Sequence, residues 1–118
     1  MKETMLVVVI EPGKPAQVKN FKSDLDAMQK IVGGYIEIVP AEWLPNGGRL
    51  LGKNLLLVVN EEGKLKNLPP NFPIRNGSDY IFGPAFVCKS QEDEMVGLSE
   101  EEATLVAGLV HRKEEING

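Results

Sequence analysis

The sequence predicts an α+β domain: a mostly antiparallel sheet of about five strands, a mixed arrangement left open, with two flanking helices. Three observations carry that reading. Apolar runs of strand length stand at residues 5–10 and 55–59, continuous enough for well-covered strands. Two other segments, near residues 24–32 and 100–110, set apolar residues at helical spacing behind capping residues. Clusters of glycine, proline and asparagine lie between these runs and divide the chain into short elements.

The first strand is residues 5–10. Glu11-Pro12-Gly13-Lys14-Pro15 forces a turn. Residues 16–21 alternate, Val18 against Gln17 and Lys19, so the two strands form a hairpin with a five-residue loop. Ser23 is placed as an N-cap, with Asp24 and Asp26 in a first turn whose dipole favours acids. Leu25, Met28, Ile31 and Val32 share one helix face. Gly33-Gly34 ends the helix, Gly33 in the left-handed region. Residues 35–39 form a third strand, Tyr35 and Glu37 opposite Ile36 and Ile38. Residues 40–54 are the longest irregular stretch, with a turn at Pro45-Asn46-Gly47-Gly48. Trp43 sits there with Leu44, Leu50 and Leu51. Such a cluster either folds over the sheet or meets another subunit.

Residues 55–59 are a fourth strand, expected at the sheet centre. Glu61-Glu62-Gly63-Lys64 makes a tight turn, and residues 65–68 return as a short edge strand. Pro69 and Pro70 stop it, and Pro73 keeps the chain irregular. After a turn at Asn76-Gly77, residues 79–89 form the last long strand. Gly83-Pro84 interrupts it with a bulge or a switch of position. Ser99 and Glu102 have capping-box spacing. Ala103, Val106, Leu109 and Val110, supported by Leu105, give the second helix its apolar stripe, and Arg112 and Lys113 suit its C-terminal dipole. Residues 1–118 are one domain with a frayed tail at 114–118.

Hydrophobic residues make up 42% and charged residues 25%, an ordinary globular balance. The single cysteine, Cys88, cannot close an intrachain disulfide, so nothing argues for an oxidising compartment. The apolar run at residues 6–10 is too short for a signal peptide or a membrane span. The expected location is cytoplasmic. Net charge is −4, but residues 90–118 hold eight acids and two bases, leaving the rest mildly basic. That distribution makes nucleic acid an unlikely partner and suits a solvated acidic helix.

His111 is the only histidine, so neither a Cys/His zinc site nor a His-activated nucleophile is well supported. Adjacent Glu61 and Glu62 point to opposite faces of an extended chain. With Glu11 or Asp79 beside them, one could hold Mg²⁺ or hydrogen-bond a ribose, or they are simply solvated turn acids. No phosphate-binding glycine fingerprint is present. Arg49, Lys53, Lys64, Lys66 and Arg75 gather around the central loops. Placed near Tyr35 or Phe72, they suit an anionic ligand with a stackable ring; otherwise they are scattered surface bases.

The segments IEPGKPAQV, VGGYIEIV, VVNEEGKL and LPPN, in this order, resemble the family of domains of unknown function numbered 3846. The resemblance covers roughly residues 5–110. Its motifs fall at residues 32–37, 60–65 and 68–71, and on Asp79 with Ile81 and Gly83. Phe72-Pro73 stands where the family usually has arginine-alanine, and the stretch at 43–53 is longer than the family pattern. The resemblance implies a phage or mobile-element protein acting in the bacterial host cytoplasm, with a counter-defence role.

The expected function is therefore a non-enzymatic, homo-oligomeric binding protein without cofactor. It would sequester a small anionic nucleotide signal in a loop-lined or inter-subunit pocket. Arg49, Lys64 and Arg75 would contact phosphates, Asn60 and Asp79 the ribose or base, and Tyr35 or Phe82 would stack; Glu61 completes the candidate site. One alternative is an inhibitor of a host defence protein, using the Trp43 loop and the acidic helix. Another is a metal-assisted hydrolase using Glu61, Glu62 and Asp79.

Overall fold

The computed structural model describes residues 4–44 and 54–117. It is an α+β fold built on a six-stranded antiparallel sheet. Strands β1 (Thr4–Ile10) and β2 (Gln17–Lys22) form the N-terminal hairpin. Helix α1 (Leu25–Val32) then leads to β3 (Ile36–Pro40) and a 3-10 turn at Ala41–Trp43. Next come β4 (Leu55–Asn60), β5 (Pro70–Ile74), β6 (Asp79–Phe82), β7 (Ala85–Gln91), β8 (Glu94–Val96) and α2 (Glu100–Asn117). The sheet order is β2-β1-β7-β4-β3, with β8 along the far end of β7; β5 and β6 form a separate two-stranded ribbon.

The apolar runs become the inner strands because they are covered on both faces. On one face, Met5, Val7, Val9, Val58, Phe86 and Cys88 pack under Met28 and Val32 of α1. Phe21 meets Phe86 edge-on at 5.4 Å, a favoured aromatic arrangement. On the other face, Val8, Ile10, Leu57, Val59 and Val87 pack under two covers. Ala103, Val106 and Val110 of α2 supply one, and Phe72, Ile74 and Ile81 of the ribbon supply the other.

Both helices are fixed by local chemistry. Asp24, rather than Ser23, is the N-cap of α1, its carboxylate accepting the Ala27 N–H at 2.8 Å. Gly33 ends α1 at φ 83°, and the N–H groups of Gly33 and Gly34 both donate to the Gln29 carbonyl. Leu25 is exposed, so the buried stripe is narrower than its spacing suggests. In α2 the capping box forms: Glu102 N–H donates to Ser99 Oγ at 3.1 Å, and Ser99 N–H donates to Glu102 Oε1 at 2.8 Å. The Ser99 amide, then Lys89, hold the Glu102 carboxyl below its ordinary value. The helix extends to Asn117, through the segment expected to fray.

Four further readings of the chain change. The sheet centre is β7, paired on both sides, with β4 one place nearer the β3 edge. Residues 61–67 are a hydrogen-bonded turn rather than an edge strand. The proline-rich crossing contains β5, because Pro70 and Pro73 sit in a ribbon strand that among the described residues pairs on one side only. The expected strand at 79–89 is two strands, β6 in the ribbon and β7 in the main sheet, changing sheets at Gly83-Pro84. Beyond these, β8 returns through Glu92 and Asp93, both at positive φ, as the tight right-twisted hairpin turn requires. The turn at residues 45–48, Leu50, Leu51 and Lys53 lie outside the described residues.

Candidate functional site

A cleft of about 200 Å³ opens where the β5–β6 ribbon folds over the β3–β4 edge of the sheet. Strand alternation puts Glu37, Val39 and Val59 on the lining face, and Glu61 continues it at the end of β4. The following turn supplies Lys64, the ribbon supplies Ile74, Arg75, Asp79, Tyr80, Ile81 and Phe82, and the 3-10 turn supplies Trp43.

Close backbone approaches hold these segments together. Asn60 is only 5% exposed. Its Nδ2 donates to the Val32 carbonyl at 3.0 Å, and its Oδ1 accepts the Glu62 N–H at 2.7 Å. One side chain thus ties the end of α1 to the turn after β4. Gly63 lies against β6 so closely that a Cβ would run into the Phe82 carbonyl oxygen. Asn71 Nδ2 donates to the carbonyls of Ile10 and Gly83, both at 2.8 Å, pinning the ribbon to the main sheet.

The charges are arranged unevenly. Lys64 Nζ donates to Asp79 Oδ1 at 2.9 Å and lies 5.8 Å from the centre of the Phe82 ring. Asp79 Oδ1 also accepts the Tyr80 N–H. The Lys64 bond first, then the Tyr80 amide, hold the Asp79 carboxyl below its ordinary value of 3.8. The Arg75 guanidinium lies 5.0 Å from the centre of the Trp43 ring, within cation–π range. Glu62 turns away to Lys66 at 3.3 Å. Glu37 and Glu61 line the cleft and make no side-chain hydrogen bond or ion pair among the described residues.

Of the residues expected at the site, Asn60, Glu61, Lys64, Arg75, Asp79 and Phe82 all line this cleft. Asn60 does so as a brace, with both ends of its amide committed to backbone. Tyr35 is not among the lining residues; it is 64% exposed and contributes its carbonyl, which accepts the Glu61 N–H at 2.9 Å. Arg49 lies outside the described residues, as does the side chain of His111. Phe72 is buried in the core and offers no free ring. Glu61, Glu62 and Asp79 do not meet: no group of three metal-ligating side chains forms among the described residues. Cys88 is a core residue, its thiol pushed up to about 12 by burial. Glu37, Trp43 and Tyr80 are lining residues that the sequence did not place here. Alternation pointed Glu37 away from Ile36 and Ile38, but only the ribbon closes over it.

Fold and site define a small three-layer α+β domain with an aromatic-walled, mixed-charge cleft at the open edge of its sheet. The chain belongs to the family described as Domain of unknown function (DUF3846), whose model matches residues 4–111. A search of the curated proteins and a search of the solved structures each found no match. No helix among the described residues is long and apolar enough to cross a membrane.

Proposed function

We propose that the protein is a non-enzymatic binding protein that holds a small anionic nucleotide-type ligand in this cleft. One observation carries the reading: Lys64 and Arg75, the rings of Trp43, Tyr80 and Phe82, and the carboxylates Glu37 and Glu61 line a single opening. An ammonium and a guanidinium suit phosphate oxygens. The rings suit a base, and Glu37 and Glu61 suit ribose hydroxyls or the N–H groups of a base edge. Lys64 and Asp79 are both partly exposed, and ion pairs of that kind exchange partners at little cost. A phosphate can therefore take Lys64 from Asp79. In a phage or other mobile element, such a protein withdraws a host's nucleotide immune signal without altering it.

Trp43 is the only tryptophan in the chain and stands in the cleft wall, which supplies the test. Cyclic dinucleotides, cyclic trinucleotides and ADP-ribose-type molecules are titrated while Trp43 fluorescence is read. Saturable change with at least one of them, with Glu37→Gln or Arg75→Ala weakening it, is the expected result. A flat response across the panel contradicts the reading.

A further inference from the structure

The two edges of the main sheet differ. β2 carries Lys19 and Lys22 with Gln17 and Asn20, the kind of polar edge that resists pairing with another chain. β3 reads Ile36-Glu37-Ile38-Val39-Pro40, with one charge, and Ile38 is 49% exposed. Among the described residues β3 has a neighbour on one side only, β4.

The hydrogen-bond phase of that edge follows from one bond. Glu61 N–H donates to the Tyr35 carbonyl at 2.9 Å, and bonded pairs recur every second residue in an antiparallel ladder. Residues 35, 37 and 39 therefore direct their backbone groups toward β4. The N–H and C=O of Ile36 and Ile38, and the C=O of Pro40, point outward from the sheet.

We propose that this edge pairs with β3 of a second copy, antiparallel about a two-fold axis at Ile38, joining the two sheets into one. In that register the two Ile38 residues exchange both backbone bonds. Each Ile36 N–H meets the partner's Pro40 carbonyl, so the donor that proline lacks falls at the end of the pairing. Each Glu37 stands opposite the partner's Val39. Centring the pairing on Glu37 instead would set the two carboxylates against each other, which disfavours it. The strand thus pairs with itself in backbone phase and without opposing like charges, which points to a second copy as the occupant. Because the axis is perpendicular to the sheet, both clefts open on the same face of the joined sheet, with the two Glu37 residues near the seam. This pairing and the ligand reading stand on different observations, and either can fail alone.

The test uses the full chain of 13.0 kDa in sedimentation equilibrium. The wild type and Val18→Lys, on the other edge, should sediment at twice the chain mass. Ile38→Lys should sediment at the single mass and still unfold cooperatively, with a midpoint that no longer rises with protein concentration as the wild type's does. In a second arm, Ile38→Cys should cross-link under mild oxidation, since Cα atoms across a bonded antiparallel pair lie about 5.5 Å apart, within disulfide reach. Glu37→Cys should not cross-link, and buried Cys88 does not compete. A monomeric wild type overturns the proposal. So does a dimer that survives Ile38→Lys, or one that cross-links through Glu37→Cys and not Ile38→Cys.

Discussion

Lys64 donates to Asp79 across 2.9 Å, joining the turn after β4 to the first residue of β6. The bond closes one rim of the cleft, linking the turn that leaves the main sheet to the β5–β6 ribbon. It carries a pH signature. The folded pKa of Asp79 is lowered by Lys64, so its contribution to stability is present above the unfolded value near 3.8. It is lost as pH falls through the depressed folded value. Asp79→Asn removes that contribution at every pH. Urea midpoints of the two proteins should differ modestly at neutral pH and converge in strong acid. A gap that stays constant through the acid range would contradict the assignment.

Asn60 is the brace between α1 and the turn. Asn60→Ala leaves the Val32 carbonyl and the Glu62 N–H without their partner, at an expected cost of about 1–3 kcal/mol. A Cβ on Gly34 would stand 2.9 Å from Asn60 Nδ2. Gly34→Ala should therefore destabilise the wild type and cost less in the Asn60→Ala background. The double-mutant cycle read by denaturant unfolding should give a coupling of about 0.5–3 kcal/mol. Strict additivity would separate the two residues.

Gly33 occupies the left-handed region at φ 83°. Gly33→Val should cost at least about 1–2 kcal/mol, since side chains are strained there, and Gly33→Asn less. Equal thermal midpoints for all three proteins would remove the helix-end geometry described above.

How legible this arrangement is depends on what each element needed. Continuous apolar runs and capping residues mark β1, β4, α1 and α2 locally, and they appear where the pattern places them. β5 hid behind Pro70 and Pro73, which read as breakers although Phe72 and Ile74 already alternate toward the core. β8 hid because Glu92 and Asp93 take positive φ without a glycine. The cleft was half legible. Glu61, Lys64 and Asp79 stand at strand ends, where polar residues attract suspicion. Glu37, Trp43 and Tyr80 become neighbours only when the ribbon crosses the sheet, which no local spacing encodes. Tyr35 stands outside this cleft's lining, and it is its carbonyl, accepting the Glu61 N–H, that serves the turn.

Arg75 separates binding from folding. It is exposed, and its guanidinium carbon lies 5.0 Å from the centre of the Trp43 ring. Arg75→Ala should weaken nucleotide affinity while leaving the unfolding midpoint nearly unchanged. Arg75→Lys keeps the charge but loses the planar fork, so it should recover only part of the affinity in a calorimetric titration. Full recovery by lysine would reduce Arg75 to a point charge.

The most direct measurement of the central claim is thermal shift of the purified protein against the same nucleotide panel, with the ligand recovered and weighed by mass spectrometry afterwards. A ligand that binds only the native state adds about 2.7 kcal/mol of stability at a hundredfold excess over its Kd. The account predicts a clear upward shift with one class of nucleotide, diminished in Arg75→Ala, and ligand recovered intact. No shift across the panel, or a ligand returned cleaved, would contradict it.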